Sequence, residues 1–431
     1  DAGVRAVQGR PVGNAIVRGH TLVPAPFRIP GFGGLWVSAS SASFARVITQ
    51  LALSWVTLEI TGSPFMVGVV AAARMAPQLI FGIPSGALAD SMDRRLLMVA
   101  ASAGTIALVL PLIGLSSGGM VTTPVLVGIS VLFGMMDTVR MSATQAYAYD
   151  LVRASRATSG MALTNLGGQL LGMLGGLAGG YTLQQFGSVA TFGLVGLASL
   201  VAVAAPLVQA GPVSQPAPLA DPNGGRTDRP ASRRTGIDFG RAMTLVTRNS
   251  VLTILAISII LAEIFGFATQ TLLPTFARDV FEVGASGLGL MMAVRSAGGV
   301  LGLLVLSRLG AEGRAGLVFV CTAALFGGAL LSFAISPIYM VALIFLGLSG
   351  FGASIMDTLG QTLLQRNADE RERGAAMGLW VFSVGFGPVG HLALGAAASI
   401  FGAPSTQAVS GIMLMLVAAM LTTYSPLRRA R

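Results

Sequence analysis

The stretch GALADSMDRR, running from Gly86 to Arg95, decides how this chain folds. It puts Asp90, Asp93, Arg94 and Arg95 into one tight turn between two long apolar segments, near residues 65–88 and 96–115. A helix needs about 20 mostly apolar residues to cross a bilayer. Two such segments joined by so short a charged turn read as a hairpin that crosses a membrane and returns.

The whole chain supports that reading. Of its 431 residues 53% are hydrophobic and 10% charged, against roughly 25% charged in a soluble domain. The mean hydropathy is +0.77. Charges this sparse cannot coat a globule, so lipid must cover most of the surface. The 57 glycines suit close helix packing in a bilayer, where small residues let backbones approach. A formal charge of +10 would fit nucleic acid, but the basic residues are scattered through short loops rather than gathered on one face. Nucleic acid is therefore not an expected partner; a small molecule and the bilayer are. All 27 basic residues are Arg, which we read as genomic composition. The one cysteine, Cys321, allows no intramolecular disulfide, and residues 1–30 hold no apolar run of the kind a cleavable signal peptide needs.

Apolar spans fall near 34–58, 65–88, 96–115, 122–146, 159–184 and 188–208, then near 249–274, 285–307, 315–335, 338–363, 375–400 and 406–425. Twelve membrane helices are expected, all-α, in two six-helix bundles at 31–208 and 248–426. A tail (1–30), a Pro/Gly-rich linker (209–247) and a second tail (427–431) complete the chain. Alternate turns, with the tails and linker, collect 22 Arg, whereas the opposite side receives only Arg278. The positive-inside rule then puts both termini in the cytoplasm. The halves also echo each other: Gly68 to Arg74 resembles Gly289 to Arg295 in the second and eighth spans. Asp137-Thr138 and Asp357-Thr358 look alike too, but they miss the register set by spans five and eleven, so we read that match as chance.

The Gly86–Arg95 turn resembles the loop 2–3 signature of the major facilitator superfamily, with Ser91 and Asp93 departing from its usual Arg and Gly. The Asp variant, with Phe32-Gly-Gly-Leu-Trp36, Leu58 to Pro64 and Ala73 to Pro77, is similar to the drug:proton antiporter-3 branch, which includes macrolide-efflux and enterobactin-exporter relatives. The resemblance covers about residues 30–426. It implies a gating loop of Gly86, Asp90, Arg94, Arg95 and Asp150. In it Asp90 caps the eleventh helix and Arg94 pairs with Asp150. For Arg95, simple positive-inside anchoring is an equal reading. A monomer is the family habit.

Seven ionisable side chains fall inside the spans: Arg46, Arg74, Asp137, Arg140, Glu263, Arg295 and Asp357. Each costs about 2.5–3.5 kcal/mol at a helix centre, so each should meet water or a partner. Ser43, Arg46, Gln50 and Ser54 lie at helical spacing on one face of span one, which suggests cavity lining. Glu263 and Gln270, seven apart, are expected to share a face of span seven. Glu263 leads the proton-coupling candidates, ahead of Asp357 and Asp137, because a carboxyl in a low-dielectric cavity can hold or release a proton. A permanent ion pair with an Arg is the equal alternative. Asp137 and Arg140, three apart, fit a structural pair. Arg74 and Arg295 fit matched struts near the loop ends of their helices. Asn165 and Gln169 suit either cavity lining or helix bridging, and His391 suits packing.

These features predict a secondary transporter of the inner membrane of a bacterium, working by alternating access. The resemblance adds proton-coupled export of amphiphilic small molecules, drug or siderophore-like, with no cofactor beyond the proton gradient. A proton symporter that imports, and a transport-inactive binding or sensor protein of this fold, remain alternatives. An enzyme is not expected, since two His and one Cys give no metal-ligand spacing. Without Lys there is also no phosphate-binding Gly-Lys loop.

Overall fold

A computed structural model of the chain describes residues 25–152, 157–208, 249–309, 314–368 and 372–423. The expected linker, the C-terminal tail and most of the N-terminal tail lie outside the described residues. Among the described residues, ten segments are long and apolar enough to cross a membrane. One of them belongs to a 52-residue helix, Ala157–Val208, which at 1.5 Å per residue would reach about 78 Å. It is two spans, because Gly187 breaks it with φ 75° and ψ −175°, a conformation that only a residue without Cβ adopts freely. The first helix, Phe32–Thr61, falls outside the ten because Arg46, Gln50 and several hydroxyls lower its hydropathy. The chain is thus an all-α, twelve-helix membrane protein.

In chain order the first bundle holds α1 (Phe32–Thr61), α2 (Pro64–Ser91), α3 (Arg94–Ser117), α4 (Thr123–Val152), α5 (157–186) and α6 (188–208). The second holds α7 (Ser250–Val280), α8 (Gly284–Leu309), α9 (Ala315–Ile335), α10 (Tyr339–Arg366), α11 and α12 (Ala403–Thr423). Helix α11 is split into Arg373–Val384 and Gly387–Phe401. Helix α7 is α-helical only to Phe265, then tightens into a 3₁₀ stretch over Phe267–Leu272.

Apolar side chains coat the outside. Leu110, Leu197, Leu301, Ile344, Ile400 and Met420 are each more than half exposed, a density that would aggregate in water and is satisfied in lipid. Inside, backbones touch where glycines permit. A Cβ at Gly175 would lie 2.7 Å from the Phe44 carbonyl, which fixes α5 on α1. Gly134 rests on the Arg74 carbonyl of α2, and Gly350 on the Arg295 carbonyl of α8.

That last pair sets the register between the halves. Gly134 corresponds to Gly350, so the counterpart of Asp137 is Ala353, and Asp357 lies one turn further along α10. The likeness of the two Asp-Thr pairs is therefore not a structural equivalence. The Gly68 and Gly289 segments are equivalent: Gly68 packs on His391 and Gly395 of α11, and Gly289 on Gly176 and Gly180 of α5.

These two contacts, α2 on α11 and α5 on α8, join the bundles. Both lie toward the end that carries the α1–α2, α7–α8 and α11–α12 turns. Hydrogen bonds close that end: Ser286 N–H donates to Gln184 Oε1 (2.8 Å), Phe65 N–H to Ser399 Oγ (2.9 Å) and Arg278 Nη1 to the Leu58 carbonyl (2.6 Å). Toward the terminal end the bundles part. Asn165, Gln169, Gly176 and Gly180 share one face of α5; Gly176 and Gly180 are buried on α8, whereas Asn165 and Gln169 are exposed.

The charged turn at Gly86–Arg95 lies at the parting end. Asp93, anomalous in the sequence signature, caps α3: the backbone N–H groups of Arg95 and Leu96 donate to its Oδ1 at 2.9 and 3.3 Å. A capping carboxylate satisfies donors that a helix start leaves unpaired. Arg94 Nη1 lies 2.5 Å from Asp150 Oδ1, and Arg95 Nη2 donates to the Leu207 carbonyl of α6 at 3.4 Å. Gly86 lies in α2; the side chain of Asp90 falls outside the described residues, and so does the cap it is expected to supply.

Candidate functional site

Where the bundles meet they flank a small chamber of about 40 Å³. Gln50, Ser54 and Arg74 line it from the first bundle, Gln270, Thr271 and His391 from the second. Gln50 Nε2 reaches Gln270 Oε1 at 3.5 Å across the gap. His391 is buried, hydrogen-bonds Thr271 through Nδ1, and sets Nε2 3.1 Å from the sulfur of Met75. Expected to pack, it packs and lines the chamber at once. Its counterpart on α5 is Gly176, so nothing in a repeat comparison marks it. Pairing of the helix faces would have been the signal.

The polar stripe of α1 does not line one space. Gln50 and Ser54 face the chamber, but Arg46 turns with Ala42, Ala45 and Thr49 into a second, narrow pocket inside the first bundle, of about 10 Å³. There it meets Arg74, Asp137 and Arg140, with Ser102 and Thr105 of α3 and Ser199 of α6. Arg74 lines both spaces and forms the wall between them.

One carboxylate organises that pocket. Asp137 Oδ2 accepts from Arg74 Nη2 at 2.7 Å, and its Oδ1 from Arg140 Nη2 at 3.0 Å. Arg74 is therefore not a strut near a loop. It stands ten residues into α2, held by an ion pair and by the Phe133 ring 5.7 Å away. Asp137→Ala would leave two guanidinium groups without their shared counter-charge. Breaking a buried pair costs about 3–5 kcal/mol, and the 27% exposure of Asp137 argues for the lower end. A fall in the thermal midpoint of the detergent-solubilised protein would register it; an unchanged midpoint would contradict the assignment.

The second bundle treats its charges differently. Glu263 is 7% exposed, and among the described residues no cation lies within 4 Å of it. Its charged neighbours are Asp357 and Arg295. The permanent Arg pair considered for Glu263 is thus absent among the described residues. Asp357 stands by the indole of Trp380, whose buried N–H completes no hydrogen bond in this conformation. Glu263 sits between two helix breaks: α7 departs from α-helix at Gly266, and α11 restarts at Gly387, whose Cβ, if built, would lie 3.6 Å from Glu263 Oε2. The break also undoes the expected shared face of Glu263 and Gln270. A 3₁₀ turn holds 3.0 residues rather than 3.6, so Gln270 rotates toward Gln50 while Glu263 stays under α11.

Twelve helices in two related bundles, closed at one end around a largely apolar chamber with a few polar side chains from both bundles, define a membrane transporter of the major facilitator type. The family model described as transmembrane secretion effector matches residues 22–430, and the chain belongs to that family. It is 24% identical over 376 residues to the staphyloferrin A transporter of Staphylococcus aureus, covering 86% of this chain and 90% of that protein. To the enterobactin exporter EntS of Salmonella typhi it is 30% identical over 169 residues, 38% of this chain and 40% of that one. Among solved structures, the nucleoside transporter NupG matches with a TM-score of 0.70 at 12% identity, covering 91% of this chain and 98% of that chain. A bacterial homolog of the human lysosomal transporter Spinster matches with the same TM-score and identity, covering 93% and 98%. At such identity the likeness shows the fold alone.

Proposed function

We propose that the protein exports amphiphilic, siderophore-like small molecules across a bacterial inner membrane by alternating access, driven by the proton gradient. The observation that carries this reading is the geometry of the seam: closed at one end, parted at the other, with the chamber between. Two bundles that touch along only part of their length can pivot and exchange the open end. The arginine asymmetry supports a cytoplasmic location for the parted end. The structure then corresponds to an inward-facing state, the state in which the solved Spinster homolog is described. Export is supported by the family's description as secretion effectors and by the relatives named for staphyloferrin A transport and enterobactin export.

Gln50, Ser54, Gln270, Asn165 and Gln169 are the cargo-facing candidates, and Arg46 and Arg74 flank them. Glu263 is the coupling carboxyl, with Asp357 as its neighbour. Asp137 serves as the structural counter-charge of the first bundle. Asp90, Arg94, Arg95 and Asp150 act at the cytoplasmic gate.

Everted membrane vesicles test the reading. Uptake of enterobactin or staphyloferrin A, the compounds named for the relatives, should follow an imposed proton gradient and stop when a protonophore collapses it. Uptake indifferent to the protonophore would defeat the coupled reading, and no uptake of any amphiphile would defeat export.

A further inference from the structure

The first bundle holds more positive charge than it neutralises. Arg46, Arg74 and Arg140 converge on Asp137, and both oxygens of that carboxylate are already taken by Arg74 and Arg140. Arg46 has no ion-pair partner among the described residues, although the charges acting on it are those same three groups. Arg74 Nη1 is buried and makes no hydrogen bond. Among the described residues no hydroxyl accepts from Arg46 or from Arg74 Nη1. Thr49, Ser102 and Thr105 donate to carbonyls of their own helices at 2.7, 3.0 and 3.2 Å.

Two cationic charges thus remain over at mid-depth, where bare charge is expensive. The second bundle does not offset them, since the charged groups acting on Glu263 are its own Asp357 and Arg295. The site is nonetheless reachable. Arg46 is exposed, and Arg74 opens onto the central chamber as well as onto the pocket.

We propose that the exposed Arg46, with Arg74 behind it, forms a carboxylate-binding subsite, and that the carboxylate belongs to the transported molecule. The chemistry is that of guanidinium groups presenting N–H donors in a fixed fork to a planar anion. The cargo is then an anionic amphiphile: its carboxylate meets Arg46 on its exposed side, in the positive field of Arg74, and its body lies between the parted bundles toward Gln50 and Gln270. This deepens the export reading and rests on it.

The test uses the full chain in lipid nanodiscs, with tricarballylate as probe and its trimethyl ester as the uncharged control. A ligand that binds only the folded protein raises the thermal midpoint in proportion to its affinity. Tricarballylate should raise the midpoint and the ester should not. Arg46→Gln should weaken apparent tricarballylate affinity by about tenfold or more, and Arg46→Lys should keep part of it. Because Arg46 has no ion-pair partner to lose and stands beside two like charges, the unliganded midpoint of Arg46→Gln should be at or above wild type. No shift with tricarballylate, an equal shift with the ester, or an effect that ignores Arg46 would overturn the proposal. Sodium sulfate at matched ionic strength distinguishes the source: saturation by sulfate at the same concentrations would mark a site for free inorganic anions and overturn the cargo assignment. Vesicle transport keeps the two readings apart. Movement of neutral but not carboxylated amphiphiles retains export and removes this subsite. Arg46-dependent binding with no movement of any compound retains the subsite and removes export.

Discussion

Glu263→Gln is expected to leave the protein folded, still able to exchange cargo down its own gradient, and deaf to the proton gradient. Glutamine keeps the shape of the side chain and removes the proton that can come and go. Three observations single out this carboxyl. It is 7% exposed, it has no cation within 4 Å among the described residues, and it lies where the breaks of α7 and α11 face each other. A titrating group beside two interrupted helices can bias how they sit, because its charge changes what each break must accommodate. Coupling free energies of this kind run to about 1–3 kcal/mol, so gradient-driven flux should fall about 5- to 150-fold. Counterflow in proteoliposomes without a gradient should persist. If the variant keeps gradient-driven flux and proton movement at wild-type levels, Glu263 is a structural residue and coupling lies elsewhere.

The second large effect is conformational. A Cβ at Gly289 would overlap the Gly176 carbonyl and come within 3.0 Å of Gly180 Cα, both backbone atoms of a facing helix. Backbone cannot step aside as a flexible side chain can. Gly289→Val should therefore penalise the closed seam by about 1–3 kcal/mol, the cost of overpacking a tight contact. Under the proposed alternating access the seam is made in one state and released in the other, so the penalty appears as a shift of population rather than as unfolding. The readout is an impermeant maleimide acting on Leu183→Cys, a buried seam position, with Cys321 replaced because it is exposed. Labelling should rise about 5- to 150-fold in the Gly289→Val background. Unchanged labelling, with the thermal midpoint intact, would mean that the seam is not a moving contact.

The fold was legible because lipid imposes coarse rules. Span lengths, the charged turn at Gly86–Arg95 and the match of Gly68–Arg74 with Gly289–Arg295 all reflect the thickness of a bilayer and a repeated packing contact. The site was legible as a set of residue types. Buried charges announce themselves in an apolar chain, and Asp137 with Arg140 followed from helical spacing alone.

Their surroundings were not legible, for physical reasons that differ from residue to residue. Periodicity assumes an unbroken helix, and α7 changes its winding after Gly266, so Gln270 left the face assigned to it. Arg46 has a long side chain that turns away from the stripe to which its Cα belongs. Arg74 was placed by a partner 63 residues away on another helix, which spacing cannot reveal. Asp93 looked like a departure from a basic loop, and its role as a helix cap depends on where α3 begins.

The two seams between the bundles are built alike in backbone yet differ in what crosses them. The α5–α8 contact at Gly176, Gly180 and Gly289 is bare main chain, while the matching α2–α11 contact carries the imidazole of His391, bonded on one side to Thr271 and touching Met75 on the other. We expect the motion to be lopsided as a result, with the dry glycine side acting as the hinge of a door and the histidine side as its swinging edge.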